Sequence, residues 1–500
     1  MPTYLSPGVY VEEVAAGSRP IEGVGTAVAA FVGLAQSGPF NTPTLITNWT
    51  QFTGIFGDFV EGSYLAHAVY GYLLNGGGAC YAVRIGEDLA PGPAARAELP
   101  SAADASQPAL RVAAAGPVDD GDVEVEVRPP APGAEDESAF DVVVKKAGTV
   151  VETFENLTAG EGDRNVVTVV NAQSEVITLE QTAAGDTVAA PAPVTVTLAP
   201  AAPAPAALAP DDYVGNAADR TGFAGLEAID GVTMLCVPDL MAAYQRGAID
   251  LEGMKAVQLA MIAHCELMGD RMAVLDPPPG LNAQQIMDWR TQYAGYDSKY
   301  ATLYWPWIKV FDPATGTNVF APPSGYVAGV WGRNDDTRGV HKAPANETIR
   351  GAIDLEINIT KSEHDQLNPS GINCLRSFPG RGIRIWGART LSSDAAWRYV
   401  NVRRLFNYLE ESILEGTQWA VFEPNDHALW AKIRRTIAAF LTNEWRKGAL
   451  FGQTPDQAFF VKCDEETNPP EIVDSGQVVC QVGVAPVKPA EFVVFQLSQF

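Results

Sequence analysis

Val232-Thr-Met-Leu-Cys-Val237, Met272-Ala-Val-Leu275 and Ala301-Thr-Leu-Tyr-Trp305 are three short apolar runs spaced along one region of the chain. The first stops at Pro238-Asp239 and the second at Asp276-Pro-Pro-Pro-Gly280, residues that break a strand and start a turn. Between them, a stretch reaching about Met268 and the segment Gln284–Ala294 read as helical. Continuous apolar strands alternating with helices indicate a parallel sheet buried on both faces, joined by crossover helices. Residues 216–350 therefore read as an α/β region, and the rest of the chain is read outward from it.

Upstream, Val9-Tyr-Val-Glu-Glu-Val14 is a strand-like run behind Ser6-Pro-Gly8, and Val28–Leu34 is a second apolar run. Tyr64–Asn75 places Leu65, Ala68, Val69, Tyr72 and Leu73 on one helical face, and Gly76-Gly-Gly78 stops it. Cys80–Ile85 returns to strand. Residues 87–215 change character. Alternating segments such as Val123-Glu-Val-Glu-Val-Arg128 predict short strands with one wet face, and Leu198–Pro210 is Ala-Pro linker composition. By count, residues 86–220 hold 7 Lys/Arg against 23 Asp/Glu. An acidic, β-rich insertion facing solvent is expected there.

Downstream, Tyr399, Val402, Phe406, Leu409 and Ile413 mark a helix over 394–415, and Leu429, Ile433, Ile437 and Phe440 mark another over 426–447. Beyond Asn468-Pro-Pro470 the pattern turns to strand. Val478, Cys480, Val482 and Val484 alternate, Pro486 and Pro489 interrupt, and Phe492-Val-Val-Phe495 follows.

At 500 residues the length suggests about three domains, and 47% hydrophobic with 19% charged residues is an ordinary globular mix. A net charge of −26 opposes binding to a phosphate backbone, so no nucleic-acid partner is expected. The start lacks a basic segment followed by an apolar run, which predicts a protein made and kept in a cytoplasm without insertion into a membrane. Six scattered cysteines without CxxC spacing then read as reduced thiols, and the four Asn-x-Ser/Thr sequons carry no weight.

Catalytic motifs are missing. GxxxxGK[ST], HExxH and GxSxG do not occur, and none of the five histidines pairs at i, i+4. Asp239 and Asp276 end parallel strands, where open α/β sheets put their ligands, but Asp also caps turns. His264 and Cys265 sit among Met261, Ile262 and Leu267 and read as core residues. The polar Arg333–His341 segment reads as a structured loop. No catalytic residue, metal site or cofactor is expected.

Pro322-Pro-Ser-Gly-Tyr-Val-Ala-Gly-Val330 and Thr337–Asn346 resemble the contractile phage tail sheath family. So do Leu367-Asn-Pro-Ser-Gly-Ile-Asn373, Gly382-Ile-Arg-Ile-Trp-Gly-Ala-Arg-Thr-Leu391, Tyr399–Leu405, Phe422-Glu-Pro-Asn425 and Ala458–Cys463. The resemblance covers 1–85 and about 220–500. It implies a sheath of a phage tail, R-type bacteriocin or contractile injection system, stacked as hexameric rings around an inner tube. Further partners it implies are the baseplate and the tail terminator or cap, in a particle that can be released outside the cell. It implies a mixed α/β and α+β multidomain fold with a subtilisin-like α/β core lacking a catalytic site. The expected division is an N-terminal extended arm, 1–22; the N-terminal part of the sheath core, 23–86; and an inserted outer β-domain, 87–215. An α/β domain, 216–355, a C-terminal α+β domain, 356–475, and a strand arm, 476–500, complete it. An inactive or cryptic α/β hydrolase-like enzyme and an acidic surface adhesin are the alternative readings.

Strand-forming ends set off by breakers invite pairing with other chains. Val9, Tyr10, Val11 and Val14 at one end, and Val478, Cys480, Val482, Val484, Phe492, Val493, Val494 and Phe495 at the other, are the expected inter-subunit arms. On the 426–447 helix, Lys432, Arg435 and Arg446 fall within about 60° of each other at 100° per residue. They are the expected contact with an acidic inner tube.

Overall fold

The computed structural model describes residues 20–86, 95–102, 108–115, 123–130, 139–160, 162–181, 190–198 and 208–495. The chain divides into two compact units, one of Met1–Gly86 with Ala207–Phe500 and one of Glu87–Ala206.

The larger unit is built on a nine-stranded sheet. Its centre is a run of parallel strands in the order Ile372–Phe378, Ala301–Trp305, Met272–Leu275, Met234–Cys236, Val28–Gly33, Ala79–Arg84. Thr44–Ile46 closes one edge antiparallel, and Gly382–Ile385 with Glu347–Thr348 closes the other. One sheet thus draws on the segments 23–86, 216–355 and 356–475, so these three segments form one compact unit and the expected boundary at 355 falls inside it. Pairing of Val28–Gly33 between Ala79–Arg84 and Met234–Cys236 is what joins them, and such long-range pairing has no local sequence signal.

Alternation along each strand splits the core in two. Ala30, Val32, Leu235, Ala273, Leu275, Leu303 and Trp305 point to a layer covered by helices Asp239–Gln245 and Leu251–Met268. Ala29, Phe31, Met234, Cys236, Met272, Val274 and Tyr304 point to the other, covered by Trp49–Phe56, Leu65–Leu74 and Ser324–Arg338. The last two helices approach through glycine. A Cβ on Gly325 would lie 2.4 Å from the Ala68 Cα, and one on Gly329 would lie 2.4 Å from the Tyr72 carbonyl oxygen. The expected loop at Arg333–His341 is corrected: residues 333–338 continue this helix to Gly339. Its polar last turns are held by Arg333, which donates to the carbonyls of Asn75 and Thr348.

The two strand-end acids cap helices that arrive from elsewhere in the chain. Buried Asp239 accepts from the Leu34 amide (2.5 Å), the Ser63 hydroxyl (2.9 Å) and the Tyr64 and Leu65 amides, closing the start of Leu65–Leu74. Buried Asp276 accepts from the Ser324 amide (3.0 Å) and hydroxyl (2.5 Å), closing the start of Ser324–Arg338. The expected helix over 394–415 begins only at Val400, because Arg389 bridges Tyr399 in extended backbone.

The unit Glu87–Ala206 holds a four-stranded antiparallel sheet, ordered Val194–Thr197, Val123–Arg128, Phe140–Lys146, Thr149–Leu157. A three-stranded one follows Arg96–Pro100, Pro108–Ala114, Ile177–Gln181. Val123, Val125 and Val127 face its own core while Glu124 and Glu126 face out. The expected end at 215 moves to 206, because Tyr213 is buried in the larger unit with its hydroxyl on the Asp239 carbonyl at 3.0 Å.

Burial pushes the Asp276 carboxyl up to about 7, against the downward pull of the Ser324 hydrogen bonds. The folded carboxyl holds its proton more tightly than the unfolded one, so this contribution to stability is present at low pH and lost as pH rises through about 7. Asp276→Asn removes the titration. The stability of the native chain minus that of the variant should fall by about 2 kcal/mol between about pH 5.5 and pH 8 in urea unfolding. A difference that does not change with pH would contradict the assignment.

Candidate functional site

The C-terminal third of the larger unit carries a helical module and two strand segments. Helices Val400–Thr417 and His427–Arg446 pack Leu405, Leu409, Leu429, Ile433, Ile437 and Phe440 into a separate core. Asp426 caps the second helix by accepting from the Leu429 amide at 2.8 Å. Ile21 joins the same core, and the Val24 amide donates to the Ser412 hydroxyl at 3.2 Å. Gly23 is needed for this crossing, since a Cβ there would sit 2.0 Å from the Tyr408 hydroxyl. The N-terminal strap therefore runs along helix Val400–Thr417 to Pro20.

A buried ion pair ties the strap, the sheet-covering helix and the module together. Arg404 Nη1 donates to Asp335 Oδ1 at 2.9 Å, and its Nη2 donates to Asp335 Oδ2 and to the Thr26 carbonyl (2.9 Å). Thr26 Oγ1 donates to Asp335 Oδ2 at 2.8 Å, and the guanidinium lies 4.7 Å from the Trp331 ring centroid. Both side chains are nearly sealed from water, at 3% and 4% exposure.

Phe459–Lys462 and Gln481–Val484 form a two-stranded antiparallel clip. Among the described residues no third strand pairs with Phe459–Lys462 or Gln481–Val484, although directly past the latter the Phe451 amide donates to the Ala485 carbonyl; an edge without a partner is open to a further strand. The tail beyond the clip is held against its own chain. The Ala485 amide donates to the Ala458 carbonyl (2.8 Å) and the Val487 amide to that of Ala449 (3.2 Å). Glu491 then accepts from Arg389 Nε (2.8 Å) and Nη2 (2.7 Å), Asn368 Nδ2 (2.7 Å) and the Tyr399 hydroxyl (3.1 Å). Past this anchor Phe492, Val493, Val494 and Phe495 are 75, 69, 80 and 84% exposed.

The expected arm residues therefore divide. Val9, Tyr10, Val11 and Val14 lie outside the described residues. Val478 and Cys480 are not in the strand and pack on the module core, while Val482 and Val484 pair with Val461 and Phe459 of the same chain. Of the expected C-terminal strand arm 476–500, residues 481–491 dock on their own chain through the clip and Glu491. Among the expected basic residues, Lys432 is half-buried with its ammonium 3.9 Å from the Trp419 ring centroid. Arg435 and Arg446 are exposed and form no ion pair with a described residue. Sequence reasoning missed fully exposed Phe422, held at φ 66°, and exposed Leu414, Val421, Phe451 and Phe460 nearby in the chain. The Phe422-Glu-Pro-Asn425 string was the available signal.

Residues screened for chemistry are committed to structure. His264 lies 3.4 Å from the buried Arg271 guanidinium, and burial and that charge push it down to about 4. Burial pushes the Cys265 thiol up well beyond the usual range. Among the described residues no group of acids, cysteines and histidines is placed to hold a metal, and no helix is long and apolar enough to cross a membrane.

The C-terminal third thus carries a strand clip and an apolar tail past a charged anchor, on a sheet whose strand-end acids are spent as helix caps. Residues 221–391 match the phage tail sheath protein central domain and 392–500 the phage tail sheath C-terminal domain. The tail sheath protein of Burkholderia phage BcepMu is 26% identical over 515 residues, covering 98% of this chain and 95% of that protein. That of Vibrio phage KVP40 is 29% identical over 223 residues, 44% of this chain but 31% of the relative. A putative prophage major tail sheath protein of Pseudomonas aeruginosa UCBPP-PA14 is 27% identical over 284 residues, 56% and 69% of the two. The fold is shared with the contracted sheath complex of an extracellular contractile injection system, PVC (TM-score 0.60, 23% identity, 100% and 99% of the two chains). It is also shared with the contracted helical sheath of the anti-feeding prophage (TM-score 0.61, 24% identity, 100% of both chains). The chain belongs to the phage tail sheath family.

Arg404→Ala leaves Asp335 buried without its partner and should lower stability by about 3–5 kcal/mol. Arg404→Met with Asp335→Leu should recover much of that loss in the same denaturant titration. An additive double variant would contradict the coupling. Glu491→Ala should leave the melting temperature nearly unchanged while speeding limited proteolysis within 485–495. Cleavage at the native rate would show that Glu491 does not anchor the tail.

Proposed function

We propose that this chain is the repeating subunit of a contractile sheath that stacks as hexameric rings around an inner tube and shortens to drive it through a target envelope. The observation that carries the reading is the pairing of family membership over 221–500 with an open-edged strand clip and an apolar tail in the same C-terminal module. The N-terminal segment Val9–Val14 and the tail Phe492–Phe495 act as tethers. Each adds a strand to a neighbour, so the unpaired clip edges are satisfied between subunits. Several shared backbone hydrogen bonds, at roughly 1 kcal/mol net each, hold each junction. Repetition then makes the lattice strong.

The globular cores move as rigid bodies during contraction, and interfaces between them repack from a metastable extended state to a contracted one. The sheet with its crossover helices is read as a subtilisin-like core with no catalytic role, since Asp239 and Asp276 are spent on helix caps. The same commitments leave the hydrolase reading without support, and nothing favours the adhesin reading. Baseplate and terminator proteins are the expected end partners, and the particle is assembled in the bacterial cytoplasm. Toward an acidic inner tube the exposed guanidiniums of Arg435 and Arg446 offer the better contact, because Lys432 is stacked on Trp419.

Deletion of residues 1–16 should abolish long assemblies in sedimentation while leaving the subunit's unfolding curve unchanged. Sheaths of normal length from that truncation would contradict the tether role. Arg435→Glu with Arg446→Glu should reduce co-purification with the tube at least several-fold, and unchanged recovery would contradict the tube face.

A further inference from the structure

Cys463 directly follows the strand Phe459–Lys462, and Cys480 directly precedes Gln481–Val484. The register pairs Lys462 with Gln481, so the next rung of the ladder sets Cys463 opposite Cys480. At the other end the Ala485 amide donates to the Ala458 carbonyl at 2.8 Å, which makes that rung a hydrogen-bonded one. Rungs alternate along an antiparallel pair, so the cysteine rung falls on a non-hydrogen-bonded position. There the Cα atoms of opposed residues approach to about 4.5 Å and the side chains are closest. Disulfides form at Cα separations of about 4.4–6.8 Å. Each thiol perturbs the titration of the other, and Cys480 is partly exposed. No comparable pair exists between Cys80 and Cys236, whose strands are separated by Val28–Gly33, about 9.6 Å at two strand spacings.

We propose that Cys463 and Cys480 are a redox staple, two thiols that oxidation joins across the mouth of the clip. A small disulfide such as oxidised glutathione supplies the oxidising power. The Cys480 thiolate attacks one of its sulfurs and expels a glutathione thiolate, leaving a mixed disulfide. The Cys463 thiolate then attacks the Cys480 sulfur and expels the second glutathione. Two protein thiols and one oxidised glutathione become one protein disulfide and two reduced glutathiones, with two electrons passing from protein to oxidant. Burial pushes Cys480 up to about 12 and raises Cys463, so closure is slow at neutral pH and quickens as pH rises.

Closing the bond fixes Gln481–Val484 to Phe459–Lys462, and with it the docked tail as far as Glu491. Its use to a released particle rests on the sheath reading: subunits assemble with reduced thiols and the clips lock after exposure to an oxidising exterior. The chemistry itself does not depend on that reading.

The test uses the full chain, incubated with oxidised glutathione at about pH 8.5, alkylated and digested without reduction by a glutamate-specific protease. Glu465, Glu466 and Glu471 lie between the two cysteines, so their peptides stay joined only through a disulfide. The expected result is one Cys463–Cys480 linked peptide, loss of two of the six thiols, and reversal by dithiothreitol. Cys480→Ser should retain all of its thiols under the same treatment. Separate alkylated peptides, stable glutathione adducts on each cysteine, or a disulfide between two chains would each overturn the staple. A linked peptide from a chain that never forms cylinders would keep the staple and count against the sheath reading instead.

Discussion

Arg404 and Asp335 form the joint on which the larger unit depends. Removing two charges from water costs several kcal/mol per ion, and only a closely paired, fully hydrogen-bonded geometry offsets it. Here the guanidinium meets both carboxylate oxygens and the Thr26 carbonyl, and Trp331 closes over its face. One pair thus links the strap entering the first parallel strand, the helix covering the sheet and the helix leading the C-terminal module. In the proposed sheath, load taken up by the module passes to the sheet across this joint. A rigid joint is what lets cores move as bodies while interfaces between them change.

The opposite property is concentrated a short distance along the chain. Among the described residues no third strand pairs with the clip over 459–462 or 481–484, and Phe492–Phe495 present four apolar residues to water. A stable monomer would cover such features. Their placement on one module, together with exposed Phe422 and Phe460, gathers apolar surface on a part of the fold braced from within. Glu491 sits between the two regimes. Its four hydrogen bonds hold the chain on its own core, and Phe492–Phe495 directly after it face solvent.

The parallel strands were legible because residues buried on both faces must be continuously apolar, and Val232–Val237, Met272–Leu275 and Ala301–Trp305 are. The order of those strands was not. Nothing in Val28–Leu34 says that it will lie between Met234–Cys236 and Ala79–Arg84, a choice made by the covering of both sheet faces. Asp239 and Asp276 stood at the right strand ends, yet the helices they cap begin far away in sequence, at Leu65 and Ser324. The polar Arg333–Arg338 segment looked like loop because its partners are distant carbonyls that satisfy a helix end. Lys432 was placed correctly on its helix, but helical angle alone could not show Trp419 beneath it. The alternation ending at Val484 marked a strand without revealing that its first partner is the same chain.

Electron microscopy of the protein expressed alone tests assembly into a sheath most directly. Hollow, striated cylinders of uniform width in mild salt are the predicted result, with subunits joined through strands added to the clip edges. Monodisperse single subunits at high concentration, persisting across ionic strengths and after co-expression with the inner tube protein, would contradict it.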